Sequence, residues 1–384
     1  MDNTKALFLF QPESMNYRFH SDHPFNQERV RLTMDLLKHS GALSNTQMIG
    51  YSACPESFIE QVHTSAYIQA VKKASQQPSS NWLDYGIGTE DTPSFPEMHQ
   101  ASSFICGGSL IGADRVMNSQ ARALHLAGGL HHAHPGKASG FCIYNDAAVA
   151  IAYLRKQYDA KVLYIDTDVH HGDGVQWMFY SDPQVCTFSI HETGKYLFPG
   201  TGYVHERGEG QGFGFSVNLP LEPFTEDESW LECFSEVLER TAGFFKPDVI
   251  VSQHGCDAHA LDPLSHMHCS MDIYLQMPKI IRSAADHWCN GRWLALGGGG
   301  YDIYRVVPRA WSMLWMVMSE HPMVQQVSSH AHLPQAWIEA VQPRSPHALP
   351  VSWLDAKSAW APMPRRKEIT ENNRKTKQLS MMYL

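Results

Sequence analysis

Carboxylate and imidazole side chains crowd the end of one apolar segment. The run VLYI at 162–165 has the short, β-branched and aromatic character of a buried strand. The residues that follow it, 166–173, contain three aspartates and two histidines. A plain loop would be built from Ser, Asn, Gly and Pro. Aspartate and histidine are instead side chains that bind cations and transfer protons, so this strand is predicted to end in a reactive site.

A divalent metal site is one chemistry that this segment predicts. Asp168 and His170 are separated by one residue, so in an extended strand end their side chains point the same way. Asp257, in SQHGCDAHALDP, follows another apolar run and supplies a third candidate ligand. Three protein ligands with an open position are what a catalytic zinc site requires. The alternative is an aspartate that caps a helix beside a histidine with a structural hydrogen bond. Two polar strand ends in one chain favour the metal.

Proton transfer is the second predicted chemistry, and it rests on two adjacent histidines. His131 and His132 stand in AGGLHHAHPGKASGF, where flanking glycines permit a close approach of the backbone. One imidazole can move a proton while the other stabilises charge, provided that carboxylates such as Asp166 and Asp173 orient them. Tyr301 follows the LGGGG run and is a candidate hydroxyl donor. The structural alternatives are a coincidental histidine pair and an ordinary core tyrosine.

An α/β fold with an open, mostly parallel sheet flanked by helices would bring these residues to one edge. The predicted strands are 6–10, 122–127, 161–166, 185–191, 248–255 and 292–300, and the predicted helices include 147–158 and 228–245. Strands that alternate with helices form βαβ units, and ligands bind outside the carboxyl ends of such strands. No repeat or linker divides the chain. A single catalytic domain is therefore predicted over 1–363, with a polar, basic and solvated segment over 364–384.

The composition excludes several classes of protein. The chain has 384 residues, of which 43% are hydrophobic and 18% charged, which supplies a core and argues against disorder. A formal net charge of −9 gives no sign of a nucleic-acid surface. The eight cysteines include no CxxC pair, a pattern typical of free thiols in a reducing compartment. With no signal-peptide pattern, and an apolar run at 310–318 too short to span a bilayer, a soluble cytoplasmic protein without a membrane partner is predicted.

Seven motifs together resemble the histone deacetylase superfamily, and within it the bacterial acetoin-utilisation branch. In chain order they are HPFNQERVRLT, GIGTEDTPSFPEMH, GGLHHAHPGKASGFCIYND, IDTDVHHGDGVQ, SIHETGKYLFPGTG, CDAHALDPLSH and LGGGGYDIYRVVPRAW, and they extend from His23 to Trp311. PMPRRKEITENNRKT resembles the C-terminal segment of that branch. The resemblance implies an arginase-like α/β fold and the metal-dependent hydrolysis of an acylated amine.

The resemblance also implies a metal centre and a catalytic group around it. The implied metal is Zn²⁺, with Fe²⁺ as the alternative, and its implied ligands are Asp168, His170 and Asp257. The implied catalytic residues are the base and acid His132, its electrostatic partner His131, the orienting Asp166 and Asp173, and the oxyanion donor Tyr301. A structural K⁺ or Na⁺ is implied behind the metal, partly through main-chain oxygens, at Asp166, Asp168, His170 and Ser189.

The substrate site implied by the same resemblance is a tunnel for an acyl-lysine side chain. Phe141 and Phe198 match its aromatic walls. Gly140 matches a backbone acceptor, and Asp91 matches a rim residue that holds the substrate backbone. Leu197 stands beside Phe198, so the shape of the tunnel mouth is expected to differ from that of other branches.

Removal of acetyl groups from lysine side chains in proteins is the predicted function, and the branch resemblance suggests an acyl-CoA synthetase as the acetylated partner. An acetylpolyamine or another small acylated amine is the alternative substrate. An arginase-type ureohydrolase fits less well, because CDAH lacks the second aspartate of a two-manganese site and Tyr301 has no purpose in urea chemistry. A silent acyl-lysine binding module would be expected to have lost a ligand or a catalytic residue. No role is assigned to His254, His259, His266 and His268.

Overall fold

Eight parallel strands form one sheet in the computed structural model of the chain, which describes residues 6–78, 82–119, 122–356, 359–382 and 384. The strands are β1 (Ala6–Leu9), β2 (Met48–Ile49), β3 (Arg122–His125), β4 (Val162–Asp166), β5 (Val185–Glu192), β6 (Ser216–Leu221), β7 (Val249–Gln253) and β8 (Trp293–Leu296). The α-helices are α1 (Glu28–His39), α2 (Glu56–Ile59), α3 (Ser65–Gln76), α4 (Met98–Asn118), α5 (Asp146–Tyr158), α6 (Asp173–Met178), α7 (Asp227–Phe245), α8 (Met271–Trp288), α9 (Val307–Met318), α10 (Met323–Ser328), α11 (Gln335–Val341) and α12 (Arg366–Ser380). Across the sheet the order is β2-β1-β3-β8-β7-β4-β5-β6.

The predicted α/β class is confirmed, and all six predicted strands lie in the sheet. Strands β4 and β7 are neighbours in its interior and are buried along their whole length, which explains why both sequences are continuously apolar until they end. Strands β2 and β6 were not predicted. Strand β2 has only two residues, and β6 contains Asn218 and Pro220, which are weak strand formers. Proline is tolerated in β6 because this strand lies at the edge of the described sheet.

Helix α4 packs its glycines directly against the sheet. It was not among the predicted helices, because glycine is a poor helix former. A Cβ atom on Gly108 would collide with the ring of His125 in β3. A Cβ atom on Gly112 would lie 2.7 Å from Leu294 and 2.9 Å from Leu9, in β8 and β1. The absence of side chains therefore lets the helix approach three strands closely.

Helix α9 contains the apolar run at 310–318 and is buried along its whole length. Its tryptophans still satisfy their ring N–H groups. Trp311 Nε1 donates to the His254 carbonyl at 2.9 Å, and Trp315 Nε1 donates to the Ala42 carbonyl at 2.8 Å. The run is thus a core helix, and within the described part of the chain no helix is long and apolar enough to cross a membrane.

Helix α12 carries the C-terminal segment that was predicted to be solvated, and one of its faces is buried. Asn373, Lys377 and Ser380 lie on this face. Lys377 Nζ lies 2.8 Å from a Glu232 carboxylate oxygen and 2.7 Å from a Glu236 carboxylate oxygen, both on α7. The acidic side of α7 therefore receives the basic residues that the sequence alone assigned to solvent.

Replacing Asn373 with alanine is expected to lower the free energy of unfolding by about 3 kcal/mol. The Asn373 side chain accepts a hydrogen bond from the Glu222 backbone N–H at 2.9 Å. It donates to Thr225 Oγ1 at 2.8 Å and to Ser229 Oγ at 3.0 Å, and its removal would leave buried groups unpaired. Urea unfolding measures the loss. Lys375→Ala, on the exposed face of α12, is the matched control and should change stability by less than about 0.5 kcal/mol. Equal losses in the two variants would contradict the docking of α12.

Candidate active site

The three residues proposed from sequence as metal ligands follow the ends of two neighbouring strands. Asp166 and Gln253, the last residues of β4 and β7, are paired in register. Asp168 and His170 follow β4, and Asp257 follows β7. Since the two strands are parallel and adjacent, both segments leave the sheet at the same edge. The structure thus brings together ligands that are widely separated in the chain.

The three side chains place their oxygen and nitrogen atoms around one point. His170 Nδ1 lies 3.0 Å from Asp168 Oδ1 and 3.3 Å from Asp257 Oδ2. The candidate ligand atoms all lie within 4.8 Å of one another, and all three residues are buried. Two carboxylates and one imidazole form a nitrogen-and-oxygen donor set that suits Zn²⁺, Fe²⁺ and similar divalent ions.

The protein groups alone leave this cluster electrostatically incomplete. Asp257 Oδ2 is buried, and apart from the His170 imidazole at 3.3 Å it has no hydrogen-bond donor near it among the described residues. Burial, followed by repulsion from Asp168, raises the pKa of Asp257 to about 6. A cation between the two carboxylates would offset both effects. The residues therefore fit a divalent metal.

Hydrogen bonds from the surrounding chain hold Asp168 in place. Gln253 Nε2 donates to Asp168 Oδ2 at 2.8 Å, and the Gly299 backbone N–H donates to the same oxygen at 2.7 Å. Oδ1 is left facing His170. Neither Gln253 nor Gly299 was identified from the sequence as a site residue, although both lie within predicted strands, 248–255 and 292–300. These bonds orient one predicted ligand toward the cluster.

His131 and His132 each pair with a separate buried carboxylate beside the cluster. His131 Nδ1 lies 2.8 Å from Asp166 Oδ2, and His132 Nδ1 lies 2.6 Å from Asp173 Oδ1. The two ring centroids are 3.9 Å apart. Each carboxylate fixes the proton on Nδ1, which directs Nε2 of each ring away from its aspartate.

The two imidazoles have opposite pKa shifts. Burial alone would lower the pKa of His131, but the carboxylates of Asp166 and Asp168 raise it to about 9. Burial and then the neighbouring charge of His131 lower the pKa of His132 to about 4, in spite of Asp173. Near neutral pH the pair therefore consists of a charged His131 and a neutral His132, as an electrostatic group and a base require.

Asn145 and Asp146 hold the backbone of the two histidines, a role that the sequence did not reveal. Asn145 Nδ2 donates to the carbonyl oxygens of His131 and Ala133 at 3.0 and 3.1 Å. Asp146 Oδ1 accepts from the backbone N–H groups of Gly129 and Leu130, at 3.0 and 2.8 Å. The only available signal was their place in the motif FCIYND, where they begin helix α5.

The aromatic residues expected to form the tunnel lie next to the histidines. The Phe198 ring centroid is 5.0 Å from that of His132, and 43% of Phe198 is exposed. The Phe141 ring centroid is 5.8 Å from that of Tyr301. Gly140 has a φ of 50°, and a Cβ atom there would collide with the ring of His132. These three residues therefore adjoin the predicted catalytic residues His132 and Tyr301.

Tyr301 is held by its backbone at the end of the glycine run. Its N–H donates to Asp262 Oδ2 at 2.7 Å, and the Gly300 carbonyl before it accepts from Arg29 at 2.9 Å. Burial and the charges of Asp257 and Asp168 raise the pKa of Tyr301 well above its usual value, so its hydroxyl keeps the proton. Asp262, like Arg29, was not identified from the sequence as a site residue.

The two remaining predicted residues, Asp91 and Ser189, contact other groups. Asp91 is exposed, and its carbonyl oxygen lies 3.3 Å from His23 Nε2. Ser189 is paired in register with Asp166, and its Oγ lies 2.8 Å from His191 Nδ1. Ser189 thus lies on strand β5, beside the last residue of β4, and its role at a monovalent-cation site stays a prediction.

The four histidines without an assigned role contact other protein groups. His254 Nε2 lies 2.7 Å from Ser252 Oγ, and His259 Nε2 lies 2.9 Å from Asp355 Oδ2. His266 Nδ1 lies 2.7 Å from Glu192 Oε1. His268 packs its ring on Trp360. None of these histidines belongs to the candidate metal group found among the described residues.

Comparison with known proteins gives consistent matches over nearly the whole chain. Residues 23–318 match the family model described as the histone deacetylase domain. The acetoin utilization protein AcuC of Bacillus subtilis (strain 168) is 50% identical over 374 residues, which cover 97% of this chain and 95% of that protein. The AcuC of Staphylococcus xylosus is 45% identical over 375 residues, which cover 97% of this chain and 96% of that protein. The crystal structure of an HDAC homolog from Aquifex aeolicus matches with a TM-score of 0.85 at 29% identity, covering 97% of this chain and all of that one.

Proposed function

The chain belongs to the histone deacetylase family and is a deacetylase, and we propose that it removes acetyl groups from the side-chain amine of lysine in proteins. The observation that carries the proposal is the closeness of the three-ligand cluster to the histidine pair: His131 Nε2 lies 3.9 Å from Asp168 Oδ1, and the ring centroids of His132 and His170 are 5.9 Å apart. This combination supplies a Lewis-acid position, a base and a positive charge among adjacent buried side chains. Metal-assisted hydrolysis of an unactivated amide uses such groups to activate water and to stabilise the charge that develops.

In the proposed reaction His132 moves the protons. Its neutral Nε2 accepts a proton from the attacking water and later gives it to the leaving amine, while Asp173 stabilises the imidazolium that forms in between. His131 remains protonated and stabilises negative charge beside it. Tyr301 keeps its proton and donates a hydrogen bond where the carbonyl oxygen becomes negative.

The metal site is proposed to hold Zn²⁺, with Fe²⁺ as the alternative, through Asp168, His170 and Asp257. When bound, such an ion polarises the acyl carbonyl and lowers the pKa of a water molecule toward neutrality. A K⁺ or Na⁺ ion is proposed behind it at Asp166, Asp168, His170 and Ser189. The apposition of Ser189 and Asp166 in register supports that second position.

The proposed substrate is an acylated lysine in a protein, and an acyl-CoA synthetase is the partner class suggested by the branch. Phe141 and Phe198 are proposed as the walls that pack on the aliphatic lysine chain, with Gly140 as a backbone acceptor and Asp91 at the rim. The exposure of Phe198 supports a mouth that opens to solvent, which suits a macromolecular substrate. An acetylpolyamine or another small acylated amine is the alternative. The cytoplasmic location expected from the sequence stays a prediction.

Tyr301→Phe is expected to lower kcat about 100-fold on an acetyl-lysine peptide, because it deletes one oxyanion hydrogen bond and little else. Acetate release by the zinc-loaded protein measures this loss. Tyr203→Phe, which deletes the hydroxyl of an exposed tyrosine, is the control and should keep the unmodified rate. An unchanged rate in Tyr301→Phe would contradict the oxyanion role. Acetate release from an acetylated polyamine but from no peptide would overturn the proposed substrate and leave the metal site intact.

A further inference from the structure

One buried carboxylate in this site serves two histidines. Asp173 Oδ1 lies 2.6 Å from His132 Nδ1, and Asp173 Oδ2 lies 3.1 Å from His134 Nε2. Asp173 and His132 are buried, whereas the His134 side chain is 31% exposed. His134 is thus a link between the proposed base and the protein surface. It stands two residues after His132 in HHAH and was not a candidate in the sequence.

The backbone of His134 is fixed on both sides. Its N–H donates to the Lys137 carbonyl at 2.8 Å, within a short two-residue bridge. Its carbonyl oxygen lies 3.0 Å from His63 Nδ1. His63 Nε2 accepts from the Asn145 backbone N–H at 3.0 Å, so the proton of the neutral His63 is on Nδ1 and is donated to His134. The imidazole of His134 therefore projects from a rigid turn.

Asp173 has a rigid backbone but needs a second contact to fix its carboxylate. It begins helix α6, and the next residue, Gly174, packs so closely that a Cβ atom there would lie 2.5 Å from the carbonyl oxygens of His131 and Ala133. The terminal torsion of an aspartate is broad, so one hydrogen bond leaves the carboxylate plane poorly defined. A hydrogen-bond donor on each of the two carboxylate oxygens fixes the orientation of that plane. Burial alone would raise the pKa of Asp173, but His132 and His134 hold it well below the usual range, so both oxygens stay acceptors.

We propose that His134 is a positioning residue of the deacetylase site. It holds Asp173 Oδ2, so that Asp173 Oδ1 stays in line with His132 Nδ1. The inference rests on the proposed function, since it concerns the residue proposed there as the base. His134 touches no reacting atom in this scheme. Its contribution is the orientation of the His132 ring, and hence the direction of Nε2 toward the substrate.

Two substitutions at His134 distinguish the effect of its hydrogen bond to Asp173 from the effect of its side-chain volume. His134→Leu removes the donor and keeps much of the volume, whereas His134→Gln offers an amide N–H to Asp173 Oδ2. We expect His134→Leu to lower kcat about 10-fold with KM unchanged within about twofold, and His134→Gln to recover most of kcat. His287→Leu, at the exposed end of α8, is the control for loss of a histidine and should leave both constants unchanged.

Proton NMR tests the same inference without any turnover. The short His132–Asp173 hydrogen bond should give a strongly deshielded N–H resonance, assigned by its loss in His132→Ala. This resonance should shift or broaden in His134→Leu and persist in His134→Gln. Unchanged kcat and an unchanged resonance in His134→Leu would overturn the positioning role. If the unmodified protein deacetylates no lysine peptide, the proposed substrate fails, while the resonance still decides the role of His134.

Discussion

Replacing His132 with alanine is expected to lower kcat for an acetyl-lysine peptide by about 1,000-fold, the range typical of a lost general base. Its pKa, lowered to about 4 by burial and by His131, keeps the ring neutral, and Asp173 occupies Nδ1 at 2.6 Å. Nε2 is therefore a base aimed away from its carboxylate. His131 cannot substitute for it, because its Nδ1 pairs with Asp166 at 2.8 Å and, against the effect of burial, that carboxylate raises the pKa of the ring.

Two measurements on His132→Ala, its metal content and its rescue by added imidazole, distinguish loss of the base from disruption of the whole active site. His132→Ala should retain the unmodified metal stoichiometry, since His132 is not one of the three clustered ligands. Imidazole added to the buffer should restore part of the activity by entering the space left by the ring. His39→Ala, at the exposed end of α1, is the matched control and should keep full activity. A His132→Ala protein that kept more than about one tenth of kcat would contradict the assignment of the base.

The sheet and the ligand segments were predictable because their signals are local. Strands β4 and β7 are uninterrupted apolar runs, and polar residues follow each run immediately. Parallel strands present their carboxyl ends at one edge of a sheet. This rule alone places Asp168 near Asp257, although the two residues are far apart in the sequence. Residue types and strand ends were enough to propose the centre of the site.

The supports of the site were not predictable, because they act through single hydrogen bonds to distant backbone. Gln253 reaches the Asp168 carboxylate, and Asp146 reaches the N–H groups of Gly129 and Leu130, without any periodic pattern in the sequence. Helix α12 was assigned to solvent for the same reason. Its polar residues look exposed until the acidic face of α7 is placed beside them.

The substitution Gly299→Ala, which adds one methyl group, is expected to weaken metal binding by about 100-fold. A Cβ atom at this position would collide with Asp257 Oδ2 and lie 2.8 Å from Asp168 Oδ2. The backbone cannot retreat easily, since the Gly299 N–H donates to Asp168 at 2.7 Å and its carbonyl accepts from the Cys256 N–H at 2.8 Å. The carboxylates would have to move instead, and both are candidate ligands. Metal per chain after dialysis, and competition with a chelator, measure the loss.

Gly243→Ala is the matched control for this substitution, because it adds the same methyl group in open surroundings. A Cβ atom on Gly243, in helix α7, would lie 3.5 Å from the Trp288 ring, an ordinary contact distance. That variant should bind metal like the unmodified protein and gain about 0.5 kcal/mol of stability from the helix. Metal loss in Gly299→Ala alone would show that the two carboxylates hold the ion in the arrangement described. Unweakened binding in Gly299→Ala would mean that at least one of Asp168 and Asp257 is not a ligand, and the proposed metal centre would then fail.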